Sequence, residues 1–108
     1  MPLLYDFDVD SAQDLLAGLS ANTKQRRLEK GLSRSALSLM SGVPVPTIAK
    51  FEQKHSISLQ GFVALAKALG YSDEVKSLLA EPKFATMEEL DTINRNKNRK
   101  RGRNEFHQ

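Results

Sequence analysis

Apolar residues recur every three or four positions through most of this chain, which is the spacing of one face of an α-helix. The first helical segment is predicted over about residues 10–30, with a capping box formed by Asp10 and Gln13 and an end at Gly31. The spacing weakens toward its middle, which predicts a bend within residues 18–23. Its predicted inward positions are Ala12, Leu15, Leu16, Leu19, Thr23 and Leu28.

Two shorter helices separated by a tight turn follow. The second helix is predicted over residues 34–41 and stops at Gly42, and the third begins at Pro44 or Val45 and runs to about Gln53. Both prolines near its start fit only the first turn of a helix, where backbone N–H groups have no helical partner. The predicted inward side chains of these two helices are Leu37, Met40, Ile48 and Phe51.

Two further helices complete the predicted fold. Ser58 caps a fourth helix that ends at Gly70, and a fifth opens at Ser72 or Asp73 and closes before Pro82. Because no segment requires a sheet, the predicted fold class is all-α, with a compact five-helix domain. The predicted inward side chains of the last two helices are Phe62, Val63, Leu65, Ala66, Leu69, Val75, Leu78 and Leu79.

The two ends of the chain differ from this domain, which we place at residues 10–80. Residues 1–9 alternate apolar and polar positions in part, which favours a short strand or a docking arm. Residues 81–93 are predicted as a C-terminal extension. Residues 94–108 are basic and lack apolar periodicity, which predicts a disordered tail.

The net charge of +3 conceals two basic blocks. Residues 24–34 carry five basic side chains against one glutamate, and residues 94–108 carry six against one glutamate. Two such blocks on an otherwise balanced chain indicate a polyanionic partner, with nucleic acid favoured over membrane. Composition alone is equally compatible with a solvated face and a solubilising tail.

Several classes of protein are excluded or disfavoured by composition. The chain has no cysteine, which removes disulfides, thiolate zinc sites and thiol catalysis, and His55 and His107 are poor material for a metal site. No apolar run reaches the roughly 18 residues of a membrane span. The acidic N-terminus lacks the basic region of a secretion signal, so we expect a cytoplasmic protein. Without a nucleophile–base pair or a glycine-rich phosphate loop, we expect no enzyme and no cofactor.

The most informative stretch is residues 31–53, which read GLSRSALSLMSGVPVPTIAKFEQ. Gly42 supplies a tight turn between two short helices, and the apolar contacts that fix their crossing come from Leu37, Val43, Ile48 and Phe51. Together with the segment LAKALG that follows, this pattern resembles the lambda-repressor-like, or Xre-type, helix-turn-helix family over about residues 19–80. More narrowly, residues 46–52 and the basic tail are similar to HipB-type antitoxins, which are encoded beside HipA-type kinases.

This resemblance implies that the first turn of the third helix enters the major groove of DNA. There Lys50 can donate to guanine or to a phosphate, while Val45 and Pro46 offer apolar contacts for a thymine methyl group. A rigid helix start and a solvated lysine are the alternative interpretations of these positions. Arg34 stands where glutamine often opens the second helix, and it is expected to bind a phosphate. The full set of predicted DNA-binding residues is Ser33, Arg34, Pro44, Val45, Pro46, Thr47 and Lys50.

Three other residues have structural predictions. By the same resemblance, Arg27 lies against Glu52 as a partly buried bidentate pair that joins the first helix to the third. We therefore expect a structural role for Arg27, although it belongs to a basic block. His55 follows the third helix and is expected to occupy an ordinary solvated turn.

The leading functional hypothesis is a sequence-specific DNA-binding transcription regulator. One recognition helix offers three or four base contacts of roughly 1–3 kcal/mol each, too little to select one site in a genome, so a homodimer on a palindromic double-stranded operator is expected. The resemblance further implies an antitoxin that represses its own operon and binds a HipA-type toxin kinase. The alternative is a protein-interaction module that uses the same fold without reading DNA.

Overall fold

The chain forms six helices and no strand over the part that the structure describes. A computed structural model describes residues 10–100, and it confirms the all-α prediction. Contacts divide these residues into two compact units, within Met1–Lys76 and Ser77–Gln108. The predicted N-terminal arm and residues 101–108 of the predicted tail lie outside the described residues. In chain order the helices are α1 (Ala12–Glu29), α2 (Arg34–Ser41), α3 (Val45–Lys54), α4 (Leu59–Ala68), α5 (Ser72–Ser77) and α6 (Met87–Asn96).

Helix α1 begins two residues later than predicted and is more regular than its sequence pattern suggests. Its capping box joins Ser11 and Asp14, so the predicted box of Asp10 and Gln13 is wrong. The Ser11 hydroxyl accepts from the Asp14 N–H at 3.0 Å, and the Asp14 carboxylate accepts from the Ser11 N–H at 3.1 Å. The weaker spacing within residues 18–23 does not interrupt the helix, which continues for 18 residues.

Glycines in the left-handed region end the first two helices. Gly31 has φ +70° and Gly42 has φ +78°, angles that a residue without Cβ adopts at little cost. Beyond Gly31, the Leu32 N–H bonds to the Arg27 carbonyl at 3.1 Å, and the Gly42 N–H bonds to the Ser38 carbonyl at 2.8 Å. These bonds satisfy carbonyls that have no partner within their helices. The predicted stops at Gly31 and Gly42 are confirmed.

An apolar core holds the first unit together. The four predicted side chains around the turn are all buried, and Phe51 meets Phe62 edge to face with ring centroids 5.9 Å apart. That geometry is the one aromatic pairs prefer. Helix α3 packs against α1 and α2, and α4 packs against α2. The fully or almost fully buried apolar residues are Leu37, Val43, Ile48, Phe51, Leu65 and Leu69.

The buried face of α1 is polar, and Thr23 is the one predicted inward residue of this helix that is buried. The buried residues of α1 are Ser20, Thr23 and Arg27. The Ser20 hydroxyl donates to the Ala17 carbonyl at 3.1 Å and the Thr23 hydroxyl donates to the Leu19 carbonyl at 2.7 Å, so burial leaves neither hydroxyl unsatisfied. Among the predicted inward residues of this helix, the exposed ones are Ala12, Leu15, Leu19 and Leu28.

The predicted core is also wrong at four positions in other helices. Helix α5 ends at Ser77, earlier than predicted, so Leu78 and Leu79 no longer follow its helical face and both are exposed. Leu79 has φ +62°, outside any helix. Met40 and Val63 are exposed as well, because they lie beside the buried stripes of α2 and α4.

Helix α6 belongs to the second unit and was not predicted. It lies in the predicted extension and in the first three residues of the predicted tail, so the prediction of disorder is wrong for residues 94–96. A capping box starts the helix: the Thr86 hydroxyl accepts from the Glu89 N–H, and the Glu89 carboxylate accepts from the Thr86 N–H. The sequence signals of this helix are its capping box and the apolar positions Met87, Leu90 and Ile93.

Candidate nucleic-acid interface

Helix α3 has one face in the core and one face in solvent. Ile48 and Phe51 are completely buried on the inner side. On the other side Pro46 and Lys50 are exposed, and Val45 and Thr47 are half-buried. A helix held by apolar contacts on one side only is free to lie in a groove of DNA with its other side.

The start of α3 is stiffened by its prolines. Pro44 is the N-cap residue, with φ −60° and ψ 146°, and its carbonyl accepts from the N–H groups of Thr47 and Ile48 at 3.0 Å each. Pro46 lies within the first turn, where its missing N–H costs no helical bond. The structure therefore accounts for both prolines as helix-start residues, and their contact with DNA stays a prediction.

The start of α2 supplies the second group of predicted contacts. Ser33 is the N-cap residue, and its hydroxyl accepts from the Ala36 N–H at 3.0 Å. Arg34 is the first residue of the helix. The positive end of the helix dipole and the arginine charge both favour an anion here.

The Glu52 carboxylate joins three segments of the domain. Its Oε2 accepts from Arg27 Nε at 2.8 Å, and its Oε1 accepts from Arg27 Nη2 and from Arg34 Nε, both at 3.0 Å. Arg27 Nη1 also donates to the Leu32 carbonyl at 2.8 Å. The predicted bidentate pair of Arg27 and Glu52 is confirmed, and it ties α1 to the last turn of α3.

Burial makes this cluster sensitive to charge. The Glu52 side chain is 1% exposed and the Arg27 side chain 7%. Burial raises the pKa of Glu52, but hydrogen bonds and charges from Arg27 and Arg34 outweigh it and hold the pKa below its usual range. With two guanidinium groups around one carboxylate, the cluster keeps one positive charge at neutral pH.

Arg34 has a contact that the sequence analysis missed. Arg34 is predicted to bind a phosphate, and the structure in addition places its Nε against Glu52 and leaves the side chain 32% exposed. The hydrogen bond holds the guanidinium group at its Nε, and part of the side chain stays exposed. Arg27 alone does not use every acceptor site of the Glu52 carboxylate. A second arginine near the helix-turn-helix was therefore the signal for the Arg34 contact.

His55 is not in an ordinary solvated turn, so that prediction is wrong. It ends α3 in the left-handed region, with φ +61°, and its N–H donates to the Phe51 carbonyl at 2.9 Å. Its Nδ1 lies 2.7 Å from the Ser20 hydroxyl. Because that hydroxyl donates to a carbonyl of its own helix, its oxygen accepts from the imidazole N–H. This bond is a second link between α1 and the end of α3.

Residues 10–100 contain neither a metal-binding cluster nor a membrane-spanning helix. Over residues 10–100, no group of three or more histidine, cysteine, aspartate or glutamate side chains is placed to hold a metal ion. Within the same range, no helix combines the length and the apolar character that crossing a membrane requires.

Comparison with known proteins finds a family similarity for part of the chain. Residues 24–75 match a family model described as Helix-turn-helix, of the Xre or lambda-repressor-like type. The match covers 52 of the 108 residues, and it makes this segment similar to the helix-turn-helix domains of that family. The match includes α2, the turn at Gly42 and α3, which correspond to the two helices and the turn of the motif. Searches of curated proteins and of solved structures returned no significant match.

The match supports a coarse function. The family is one of DNA-binding regulatory domains and is generally non-enzymatic, which supports a DNA-binding regulator of transcription.

Proposed function

We propose that this protein is a sequence-specific transcription regulator that binds a double-stranded operator as a homodimer, with the first turn of α3 in the major groove. The observation that carries the proposal is the division of α3 into two faces. Its inner face and the Glu52 carboxylate are buried and fixed, while its outer face presents Pro46 and Lys50 to solvent. A reading helix needs this combination of a fixed direction and a free surface.

The outer face of α3 supports a mixed type of base contact. Lys50 is one turn beyond the prolines and can donate to guanine O6 or N7 or to a phosphate. Val45 and Pro46 provide apolar surface for a thymine methyl group, and the Thr47 hydroxyl can donate to a base edge or a phosphate. This set favours operator half-sites in which a guanine lies close to a thymine.

The start of α2 supports phosphate contacts that fix the register of the domain on DNA. Arg34 is oriented by Glu52 and keeps part of its guanidinium group exposed. Ser33 precedes it at the positive end of the helix. Such contacts position a protein on the duplex without reading its sequence, so we expect Arg34 to raise affinity for all DNA.

Two copies are required because one domain reads too few bases. Three or four base contacts of about 1–3 kcal/mol each cannot select a single site among those of a genome. A symmetric dimer doubles the contacts and places the two α3 helices roughly 34 Å apart, one turn of the duplex. We therefore expect a palindromic operator.

We further propose that the regulated operon is the protein's own and that the protein acts as an antitoxin. The support is the similarity of residues 46–52 and the basic tail to HipB-type antitoxins, whose partner is a HipA-type kinase. The test is co-purification with the product of an adjacent kinase-like reading frame. If no adjacent frame encodes a kinase, the antitoxin role fails and the role as a transcription regulator is unaffected.

Selection from a library of random duplexes tests DNA reading directly. The full chain should enrich a palindromic sequence, and Lys50→Ala should lower affinity for that sequence by about tenfold, with much less effect on random DNA. Lys67→Ala is the matched control, because Lys67 is an exposed lysine on α4. If no sequence is enriched while the domain is folded, sequence-specific reading fails and a protein-interaction module is the better interpretation.

A further inference from the structure

His55 ends α3 in a backbone conformation that suits glycine better than histidine. Its φ of +61° lies in the left-handed region, which glycine adopts without the clash that a Cβ brings. The two preceding helices end near glycines in the same region, Gly31 and Gly42. The end of α3 therefore carries a less favourable residue for its backbone, and the contact of the imidazole gives a reason for it.

The His55 imidazole is bonded to a buried hydroxyl group on another helix. Its Nδ1 lies 2.7 Å from the Ser20 Oγ, although the two residues are 35 positions apart in the chain. The Ser20 hydroxyl donates to the Ala17 carbonyl at 3.1 Å, so the Nδ1–H group donates to the Ser20 oxygen. Ser20 is 1% exposed, and no DNA can reach it.

This bond is one of two polar links between α1 and α3. The other joins Arg27 Nε to Glu52 Oε2 at 2.8 Å. On α1 the linked residues Ser20 and Arg27 are seven positions apart, which is about 10 Å along a helix. On α3 the linked residues Glu52 and His55 are three positions apart, about 4.5 Å. A helix held at one point can turn about that point, whereas a helix held at two separate points keeps its direction.

Apolar packing alone leaves room for α3 to turn. Helices packed through apolar side chains cross at angles that scatter by about 15–20° around the preferred values. Pro46 is six positions from Glu52, so a turn of about 10° about Glu52 would move it by about 1.6 Å, at roughly 1.5 Å of helix length per residue. The donor–acceptor distances of N–H···O bonds span only about 0.5 Å. Contacts between the start of α3 and base edges would therefore be lost.

We propose that His55 is a positioning residue for DNA reading, whose bond to Ser20 fixes the angle between α1 and α3 and so sets where the first turn of α3 lies in the major groove. The proposal rests on the proposed function and adds to it a residue that acts without touching DNA. Bases contacted by the first turn of α3 are the most sensitive to the loss of this bond. Lys50 is only two positions from Glu52, so its own contact is less affected.

Operator binding by two full-length variants, corrected for the folded fraction, tests the proposal. His55→Gly removes the imidazole and suits the left-handed backbone, and Ser20→Ala removes the oxygen on the other side of the bond. Each should bind the operator about tenfold more weakly than the wild type, as for the loss of one base contact, and random duplex DNA almost equally well. The double variant should be no weaker than either single variant, because all three lack the same bond.

Leu79→Gly is the matched control. Leu79 has φ +62° and is 100% exposed, so glycine relieves the same kind of backbone conformation there without breaking the bond of His55. This control should bind operator and random DNA like the wild type. A loss of operator affinity in His55→Gly but not in Ser20→Ala would overturn the proposal, because His55 would then contact DNA itself.

Residual dipolar couplings of the backbone N–H groups measure the angle between α1 and α3 in the free protein. The angle should change by at least about 5° in His55→Gly and in Ser20→Ala, which is within the scatter that apolar packing permits, and stay constant in Leu79→Gly. A bond that only stabilises the fold would lower Tm and leave this angle unchanged. An unchanged angle in either variant without the bond would therefore overturn the proposal.

The wild type separates this inference from the proposed function. If the wild type selects an operator and the two variants bind it equally well, the inference is wrong and the proposed function stands. If the wild type selects no operator, the proposed function is wrong, and a positioning role in DNA reading fails with it.

Discussion

Removing the Glu52 carboxylate should cost the domain more stability than DNA affinity. In Glu52→Ala the buried Arg27 side chain, which is 7% exposed, loses the carboxylate that pairs with it. Its guanidinium group keeps the hydrogen bond to the Leu32 carbonyl. Breaking a buried ion pair by removing one partner costs about 3–5 kcal/mol. Domains of this size have free energies of unfolding of roughly 5–15 kcal/mol, so this loss is a large fraction of the total.

Thermal unfolding followed by circular dichroism measures this loss. At roughly 4–8 °C per kcal/mol for a small domain, the Tm should fall by at least about 12 °C. Glu29→Ala is the matched control, because Glu29 pairs with Arg26 at 2.8 Å while its side chain is 50% exposed. The control should melt close to the wild type, since exposed ion pairs contribute little.

Operator affinity, corrected for the folded fraction, decides the role of Glu52. Arg34 keeps its charge in Glu52→Ala and loses the hydrogen bond that orients it, so affinity should fall by less than about tenfold. A variant that melts like the wild type but no longer binds the operator would refute the reasoning. Glu52 would then act on DNA itself, despite a side chain that is 1% exposed.

The remaining predictions use the same domain and the basic tail. Phe51→Ala removes a completely buried ring and should lower the free energy of unfolding by about 3–5 kcal/mol. A denaturant titration measures this loss, and most molecules of the variant should be unfolded at a denaturant concentration that the wild type withstands. The pKa of Glu52 is lowered in the folded domain, so its charged form stabilises the fold. This stabilisation is complete above the unfolded pKa of about 4.3 and is lost as the pH falls through the folded pKa. Glu52→Gln should therefore flatten the decline of Tm in that acidic range. Ser20→Ala should cost about 1 kcal/mol, because His55 Nδ1 loses its partner, and an unchanged Tm would contradict that bond. Truncation after Asn98 removes four basic residues. It should flatten the log–log salt dependence of DNA binding by up to about 3.6 units, at roughly 0.9 for each lost phosphate contact. An unchanged slope would assign the tail to another partner.

The sequence predicted the helix-turn-helix well because local signals and core packing agree there. Gly42 ends a helix in the left-handed region, and the apolar positions on either side of the turn are the ones that the structure buries. Pro44 and Pro46 mark the start of α3 for a reason that is visible in any sequence: proline lacks an N–H. The pairing of Arg27 with Glu52 was also predictable, through the resemblance to the family.

Helix α1 shows where hydrophobic spacing misleads. Its leucines outnumber its inward positions, and the face that packs against α3 is chosen by partners on that helix. Arg27 must meet Glu52, and Ser20 must meet His55, so the polar residues turn inward and Leu15 and Leu19 remain outside. The rotation of α1 about its own axis is decided by hydrogen-bond partners that are distant in sequence. A pattern of apolar residues does not identify those partners.

The contacts at Arg34 and His55 were missed for a related reason. Arg34 is the first residue of its helix and His55 follows the end of another, positions where the sequence favours solvent. Each is drawn to a buried group on a different segment, Arg34 to Glu52 and His55 to Ser20. Such contacts depend on the crossing of helices, which becomes known only when the fold is known.

The division of α3 into inner and outer positions has a consequence for how its specificity could evolve or be redesigned. Ile48, Phe51 and Glu52 fix where the helix lies, and they alternate along the same ten residues with the positions proposed to touch bases. Under the proposed function, exchanging Val45, Thr47 or Lys50 should change which bases the helix contacts, while the residues that hold the helix in place stay the same. A library randomised at these three positions should yield folded domains with new operators. Replacing the whole helix with a foreign one would also remove Ile48, Phe51 and Glu52, which hold it in place.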